Sequence, residues 1–525
     1  MLFNSYGFIF GFLSVVLVGF FVAGRVLGRY AACGWLAAAS LFFYAWWQPV
    51  FLLLLVASIL VNAVFGRYLV TASAGWKRWG LAGGVVLNLA LLAYFKYAGF
   101  LVINLNHLLS AQLVVPHVIL PIGMSFFTFQ QIAYLSDSAK GRVRDYNLVN
   151  YTLFVTFFPH LIAGPIVHHR EMMPQFARPS VIRLEPSNLA LGLSIFTIGL
   201  FKKTVLADVT ATWADPAFNA AATGVVPDPA QAWVAALAFT FQLYFDFSGY
   251  SDMAIGLARM FNIVLPLNFY SPYKAVNVIE FWRRWHMTLS RFLRDYLYFP
   301  LGGNRKGALR RYGNLLLVMA LGGLWHGAAW TFVVWGTLHG VMLMANHAWH
   351  AVRRAVGLAA RPDWRAARIA TTALTFVLVV CAWVFFRAAD VPTASTMLRS
   401  MFGLNGAQLS TSAARFVRGQ IAEVGKLGRV VSGSASARRA PARLADLNLP
   451  GPWLLLLGLI VFAAPNTYQL FAKYDPALVE RKEEMDAPRR LAWSPSLAWA
   501  AGLGIMFVAS LLQLLKISPF LYFQF

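Results

Sequence analysis

Long apolar runs alternate with short polar stretches along the whole chain. A helix that crosses a bilayer needs about 20 mostly apolar residues, and eleven runs approach or exceed that length. They cover 7–24, 50–68, 81–101, 116–135, 147–167, 188–206, 231–258, 313–345, 370–388, 451–470 and 496–515, and a shorter aromatic-rich run covers 33–48. The pattern predicts an all-α polytopic membrane protein with about 11–13 transmembrane or re-entrant helices.

Composition supports a lipid environment for these helices. Of the 525 residues, 59% are hydrophobic and 12% are charged, and the mean hydropathy is +0.61, whereas about 25% of the residues in a soluble domain are charged. The net charge of +24 would suggest nucleic acid in a soluble protein. Here the basic residues lie between apolar runs, where they set topology and meet anionic headgroups. We therefore expect membrane lipids as partners and no nucleic acid.

Basic residues occur in every second loop. No Lys or Arg precedes the first run, which ends in Arg25 and reads as a retained span, not a cleaved signal. Later basic groups recur two runs apart, at Arg67, Lys77 and Arg78 and then at Lys140, Arg142 and Arg144. By the positive-inside rule we expect the N-terminus to face outward and the basic segments 274–311 and 353–368 to face the cytoplasm.

Residues 391–450 are also basic, although simple alternation places them outside. Loops of about 60 residues obey the charge rule poorly. We expect this stretch to be a long loop or an amphipathic insertion in a single membrane domain that covers 1–525. The absence of internal repeats disfavours an inverted-repeat transporter. Cys33 and Cys381 lie in apolar stretches, which argues against a disulfide framework.

His326 is the sharpest chemical signal in the chain. It lies between the apolar runs Leu315–Leu324 and Ala328–Trp335, where a polar group is costly and is by default a candidate for function. We expect burial to keep its imidazole neutral and suited to act as a general base. The alternative is a structural histidine that is hydrogen-bonded between helices.

Other polar residues near membrane depth have two interpretations each. His286 lies in a stretch rich in Arg and Trp, which is also typical of an amphipathic helix at the headgroup level. Asp246 and Asp252 are six residues apart and do not share a helical face. Either acid could orient a histidine or pair with an arginine, and a structural buried pair is the alternative.

His160 lies in a segment that we do not expect to form a regular helix. Pro159 and Pro165 flank it, so the segment should bend or re-enter the membrane. His168 and His169 follow, but no acidic or Cys ligand has a suitable spacing, so we predict no metal site. Phosphate loops, nucleophile elbows and zinc-helix motifs are absent from the sequence.

Several blocks together resemble the membrane-bound O-acyltransferase family. The resemblance is to its bacterial branch that serves alginate O-acetylation and, more distantly, teichoic-acid D-alanylation. The blocks are Pro121–Gln130, Phe158–Pro165, Tyr244–Met253, Glu280–Arg294, Phe299–Arg305, Gly322–Gly327, Trp383–Arg387 and the ending Phe520–Phe525. Their order makes the resemblance specific, although each block alone would be weak.

The resemblance implies a fold, a site and a setting. The fold is a ring of tilted helices around a central channel, in a bacterial inner membrane with the N-terminus periplasmic. His326 maps onto the family's catalytic histidine and His286 onto a second polar residue upstream. Asp246, Ser248, Tyr250, Trp325 and His160 would line the donor or substrate channel. Charge on the carbonyl or on the donor's phosphates could be steadied by Arg283, Arg284 or Asn304.

The resemblance also implies the reaction. Acetyl would come from a cytoplasmic co-substrate, acetyl-CoA, with no bound cofactor, and would pass to periplasmic polysaccharide-acetylation proteins or a polysaccharide synthase complex. One alternative keeps the fold but uses a carrier-protein thioester, or acts on peptidoglycan or teichoic acid. Another alternative is a non-catalytic transporter or export scaffold, because polar residues at mid-membrane would also suit a transport path.

Overall fold

The structure is a computed structural model that describes residues 1–143, 147–357, 364–406, 409–431, 449–479, 491–514 and 520–521. Within these residues the regular structure is helical, with no β-strand and one isolated parallel bridge between Pro266 and Leu478. The predicted all-α class is confirmed. Arg144, residues 432–448 and the family-like ending from Tyr522 lie outside the described residues.

The helices, numbered in chain order, are α1 Leu13–Leu27, α2 Arg29–Ala45, α3 Val50–Thr71, α4 Ala74–Leu92, α5 Ala98–Leu109, α6 Met124–Ala139, α7 Leu148–Thr156, α8 Phe158–Leu161, α9 His169–Phe176, α10 Pro186–Phe201, α11 Asp208–Ala222, α12 Pro229–Met260, α13 Val278–Arg284, α14 Met287–Leu293, α15 Gly307–His326, α16 Trp330–Ala355, α17 Arg365–Arg387, α18 Val391–Met401, α19 Leu409–Val431, α20 Pro450–Ala463, α21 Thr467–Leu470 and α22 Leu497–Gln513. Turns of π-helix precede α1 and join α4 to α5 and α10 to α11.

Five helical stretches in the described part of the chain are long and apolar enough to cross a membrane. They are Gly7–Leu27, Val50–Thr71, Ala74–Leu109, Pro186–Ala222 and Arg365–Arg387, and α20 and α22 are shorter apolar helices. The protein is therefore a multi-pass membrane protein.

In two of the predicted runs, a glycine or a proline determines where the helix begins or is interrupted. The run 116–135 becomes helical only at Met124, after Gly123 at φ 71°, a left-handed conformation that favours glycine. The run 147–167 is interrupted between α7 and α8 at Phe157, next to Pro159. The interruption of the regular helix that we predicted there is present, although Phe158–Leu161 forms one short helical turn.

The run 313–345 is not one span, and this prediction was wrong. Helix α15 ends at His326, extended backbone follows at Gly327 and Ala329, and α16 begins at Trp330. A Cβ on Gly323 would collide with the backbone of Phe332 and of Gly336, so the two helices pack closely as an antiparallel hairpin. Hydropathy alone cannot detect such a break because the connecting residues are themselves apolar or small.

The described chain forms two compact units, and the first comprises Met1–Phe201, Gly249–Asn268 and Thr467–Gln524. Part of its core is aromatic, with Phe158 within 5.7–6.5 Å of Phe3, Phe8 and Phe43 between ring centroids. A buried amide network joins α3 and α4, where Asn88 Nδ2 donates to Asn62 Oδ1 at 2.7 Å. Such pairs satisfy polar groups that lipid cannot solvate.

The second unit comprises Lys202–Ser248 and Phe269–Asn466. Here α16 packs against both α15 and α17, and Trp335 stacks on Trp383 with centroids 5.4 Å apart. Within 391–450, the structure forms α18 and α19. Helix α19 is held by Ser412, whose Oγ donates to Asp228 at 2.7 Å, and by Gln420, whose Oε1 accepts from Gly451 N at 3.1 Å.

Candidate active site

His326 is the last residue of α15, at the tip of the α15–α16 hairpin. Its side chain is buried, with 5% of the residue exposed. The rings of Trp335 and Phe386 lie edge-on to the imidazole, with centroids 5.1 and 5.4 Å away. Gly327 must be small because a Cβ there would meet the ring of Phe332. The hairpin tip therefore holds the imidazole within an aromatic wall.

His286 is presented by a sharp turn between two short helices. It precedes α14 with φ 41° and ψ 54°, a left-handed conformation that histidine adopts more readily than most residues. The residue is completely buried. Burial lowers the pKa of the His286 imidazole to about 3. The imidazole is therefore neutral at physiological pH.

The fold brings these two histidines side by side. Their ring centroids are 6.4 Å apart, although 40 positions separate them in the sequence. Trp325 is a neighbour of both, with centroids 4.9 Å from His326 and 6.4 Å from His286. Phe247 completes the enclosure of His286, edge-on at 4.8 Å. The result is a pair of buried imidazoles surrounded by aromatic rings.

A third buried histidine, which was not singled out from the sequence, is separated from His326 by Trp335. His339 lies on α16 one helical turn after Trp335, with ring centroids 5.0 Å apart. Its Nδ1 accepts a hydrogen bond from Trp282 Nε1 at 3.3 Å. A neutral imidazole that accepts at Nδ1 carries its proton at Nε2, and this Nε2 is buried without a partner among the described residues. His339 follows an apolar run, as His326 does, so the same criterion would have found it.

Asp246 has a partner that the sequence analysis did not consider. Lys203 Nζ lies 2.6 Å from Asp246 Oδ1 and 2.7 Å from Asp208 Oδ1. Lys203 and Asp246 are both buried. Lys203 and Asp246 therefore form a buried ion pair, in which the cation is a lysine. Lys203 lies inside the apolar run 188–206, where a charged residue is rare, so the sequence alone could have marked it as a candidate.

The remaining candidates in the second unit lie in different surroundings. Ser248 is buried, and its Oγ has no hydrogen-bond partner in the described structure. Arg283 is exposed on α13, whereas Arg284 pairs with Glu280 at 2.6 Å. Asn304 is exposed in the loop before α15. Within the described part of the chain, the side chains of Arg283, Arg284 and Asn304 make no hydrogen bond with His286 or His326.

Two candidates belong to the first unit. His160 is buried on α8, and its Nδ1 lies 3.3 Å from Gln130 Nε2. Tyr250 packs between Phe3 and Phe520, with ring centroids at 4.9 and 4.3 Å. Both side chains are fully enclosed within that unit.

Asp252 also lies in the first unit, and its carboxylate is satisfied by hydroxyl groups. Thr467 Oγ1 and Tyr468 Oη donate to it at 2.7 and 2.8 Å. Neither of the partners that we had considered, a histidine or an arginine, makes these bonds. The described residues contain no group of three His, Cys, Asp or Glu side chains that could hold a metal ion.

A buried pair of imidazoles in an all-α membrane protein is suited to proton transfer away from water, as a membrane acyltransferase requires. Residues 35–389 match the sequence profile of the membrane-bound O-acyltransferase family, and the chain belongs to this family. It is therefore an O-acyltransferase, as the sequence blocks predicted.

Relatives with known names extend the comparison. A peptidoglycan O-acetyltransferase from Helicobacter pylori is 46% identical over 78% of this chain and 81% of its own length. A probable alginate O-acetylase, AlgI, from Pseudomonas putida is 38% identical over the whole of both chains. A teichoic acid D-alanyltransferase from Streptococcus thermophilus is 25% identical over 50% of this chain and 68% of its own length.

Proposed function

We propose that the protein is an O-acetyltransferase that moves acetyl groups from a cytoplasmic thioester to an exported polysaccharide. The single observation that carries the proposal is the pair of buried imidazoles, His286 and His326, with centroids 6.4 Å apart. Support for acetyl as the group comes from the family and from two kinds of relatives, both named as O-acetyltransferases or O-acetylases. Full-length alignment with the alginate O-acetylases supports an exported polysaccharide as the acceptor.

In the proposed reaction, His326 is the general base. It removes the proton from an incoming hydroxyl group, whose oxygen attacks the thioester carbonyl carbon. A carbon–oxygen bond forms, the carbon–sulfur bond breaks, and the proton held by His326 passes to the departing thiolate. General-base catalysis of this kind contributes about 10²–10⁴-fold in rate.

His286 is the residue placed to assist this step. Arg284 is engaged by Glu280, and Arg283 and Asn304 are exposed, whereas His286 is buried with its ring centroid 6.4 Å from that of His326. A neutral imidazole can donate from one nitrogen, so His286 would steady the negative charge that develops on the carbonyl oxygen. Preorganised donors of this kind are effective where water is excluded.

The aromatic wall has a chemical purpose in this proposal. Trp325, Trp335 and Phe386 surround His326 at 4.9–5.4 Å between ring centroids. Excluding water protects a thioester from wasteful hydrolysis and strengthens each polar interaction inside the site.

Acetyl-CoA is the proposed co-substrate, because the basic segment 274–311 is suited to a polyanion.

The proposed setting is a bacterial inner membrane with a periplasmic N-terminus. Alternation of basic loops supports this orientation. The acetyl group would leave towards periplasmic polysaccharide-acetylation proteins, with a polysaccharide synthase complex as a further partner. The alginate-pathway relatives support a polysaccharide context.

The decisive test replaces His326 by Ala in cells that make the exported polysaccharide. We expect O-acetylation of the polysaccharide to be lost while the protein still inserts at the normal level, as measured by product analysis and by membrane immunoblotting. His107→Ala is the matched control, because His107 is exposed on α5. Retained acetylation in the His326 variant would exclude this mechanism. Parallel analysis of muropeptides would show whether peptidoglycan receives the acetyl group instead.

A second experiment separates the donors and the non-catalytic alternative. Purified protein is incubated with acetyl-CoA labelled in the acetyl group, and release or exchange of label is measured. We expect slow His326-dependent hydrolysis. No turnover with acetyl-CoA, combined with turnover from an acetylated carrier protein, would favour the carrier-protein donor. No turnover with either donor would favour a transporter or scaffold.

A further inference from the structure

A cavity of about 690 Å³ lies in the second unit between α13, α16 and α17. One end of it is basic, with Arg353 in the last turn of α16 and Arg368 in the first turn of α17. Its other lining includes the apolar side chains Met342, Leu374 and Leu378. The cavity does not include His286, His326 or His339, so the reaction proposed above leaves it unexplained.

The basic and apolar ends are separated along the helices. Met342 precedes Arg353 by eleven residues on α16, which corresponds to about 16 Å of helix. Leu378 follows Arg368 by ten residues on α17, or about 15 Å. The same cavity is lined by Met342 and Arg353 on α16 and by Arg368 and Leu378 on α17. It therefore extends from a charged end to an apolar end.

Exposed aromatic side chains occur near the charged end. Trp349 lines the cavity, and Trp364 precedes α17; they are 59% and 70% exposed. Tryptophan is enriched where the hydrocarbon of a bilayer meets the headgroups. These two residues indicate that Arg353 and Arg368 lie at the level of lipid phosphates.

The apolar end is open to its surroundings. Leu374 is 61% exposed and Leu378 is 40% exposed, and both belong to the candidate span Arg365–Arg387. An exposed apolar side chain on a membrane span contacts lipid. The cavity therefore opens onto the acyl chains of the bilayer, which is unsuited to a water-soluble ligand.

The charge of the cavity favours an anion. Glu280 is the acid that lines it, but its Oε1 pairs with Arg284 at 2.6 Å and its Oε2 accepts from Val276 N at 3.0 Å. Arg368 has no ion-pair or side-chain hydrogen-bond partner among the described residues. A guanidinium presents several donors in one plane and matches a phosphate geometrically.

We propose that this cavity is a binding site for an anionic phospholipid. The phosphate would lie between Arg353 and Arg368, and one acyl chain would extend along Met342, Leu374 and Leu378. Basic pockets between membrane helices bind anionic headgroups in this way. The inference does not depend on the proposed acetyl transfer, since none of these residues belongs to the histidine site.

The test is lipid competition on the purified full-length protein. The protein is exchanged into micelles that contain equal amounts of phosphatidylglycerol and phosphatidylcholine of the same chain length, and retained lipid is counted by native mass spectrometry. We expect a preference for phosphatidylglycerol that falls about fivefold for Arg353→Gln or Arg368→Gln, and about 25-fold for both. Arg365→Gln is the matched control, because Arg365 is exposed in the same helical turn as Arg368 but does not line the cavity.

Two further arms distinguish the sources of the phosphate. Glycerophosphoglycerol, which has the headgroup without acyl chains, should not displace the lipid, and coenzyme A should not either. Displacement by coenzyme A that the double variant abolishes would overturn the lipid assignment in favour of a soluble phosphate ligand. Equal lipid preference in the double variant and the Arg365 control would overturn the site itself.

Discussion

Trp282 donates a hydrogen bond from its indole nitrogen to Nδ1 of His339 across 3.3 Å, and both residues are buried. The bond joins α13 to α16 and leaves the proton of His339 on Nε2. Trp335 lies between His339 and His326, with ring centroids 5.0 and 5.1 Å from them. By fixing His339, the bond therefore helps to hold Trp335 against His326.

Replacing either partner of this bond should destabilise the protein, because the remaining polar atom is left buried and unpaired. His339→Phe leaves the Trp282 N–H buried without a partner, and we expect a loss of about 1–3 kcal/mol in the free energy of unfolding. Trp282→Phe keeps an aromatic ring but leaves Nδ1 of His339 buried without a donor, which carries a similar penalty. Thermal unfolding in detergent, followed by tryptophan fluorescence, would compare the two variants. Trp364→Phe, at an exposed position, is the control, and equal unfolding temperatures for all three would contradict the role of the bond.

His286 can be replaced without disturbing its backbone. Its φ of 41° is tolerated by Asn better than by other non-glycine residues, so His286→Asn should fold normally. We expect acetyl transfer to fall about 10²–10³-fold, the effect of losing one charge-stabilising donor. Rates at saturating donor, with circular dichroism as the check on folding, would measure this.

A β-branched residue at the same position should behave differently. His286→Val would be strained by the left-handed backbone, and we expect poor yield of folded protein. If the Asn variant kept full activity, His286 would have no part in the chemistry. If the Val variant folded as well as the Asn variant, the turn would not need this conformation.

The buried ion cluster of Lys203, Asp246 and Asp208 should lose stability when one charge is removed and recover it when two opposite charges are removed together. Lys203→Met leaves Asp246 buried without its counter-ion, which we expect to cost about 3–5 kcal/mol. Lys203→Met combined with Asp246→Leu removes both charges and should recover much of that loss. The yield of monodisperse protein and its unfolding temperature would show this order.

An exposed ion pair is the control for this comparison. Arg294→Ala breaks the pair with Asp295, in which Arg294 is 45% exposed, and should change stability by about 0–1 kcal/mol. A double variant no more stable than Lys203→Met alone would show that the cluster does more than balance its own charges.

Close packing of the α15–α16 hairpin should tolerate no side chain at Gly323. A Cβ there would meet the backbone of Phe332 and Gly336, and we expect Gly323→Ala to cost about 1–3 kcal/mol and to reduce acetyl transfer by shifting His326. Gly313→Ala, on the same helix with no heavy atom near the added Cβ, should be neutral or slightly stabilising. Unfolding temperature and transfer rate are measured together, and identical behaviour of the two variants would refute the packing argument.

Several polar residues of the site could be identified individually from the sequence, but their spatial arrangement could not. Burial cost marks His326 as unusual in an apolar run, and the same reasoning applies to Lys203 and His339, which the sequence analysis passed over. The sequence could not show that Asp246 faces Lys203, because the two residues lie 43 positions apart. Hydrophobic periodicity indicates only which face of a helix is apolar.

The chain alone was enough to establish a multi-pass helical membrane protein and its family, because apolar run length and ordered motifs are local properties. The folded structure decided that 313–345 is a hairpin, that His286 and His326 lie 6.4 Å apart, and that Trp335 separates His339 from His326. These outcomes depend on tertiary packing, in which a few close contacts such as Gly323 against Phe332 select one arrangement from many of equal hydropathy.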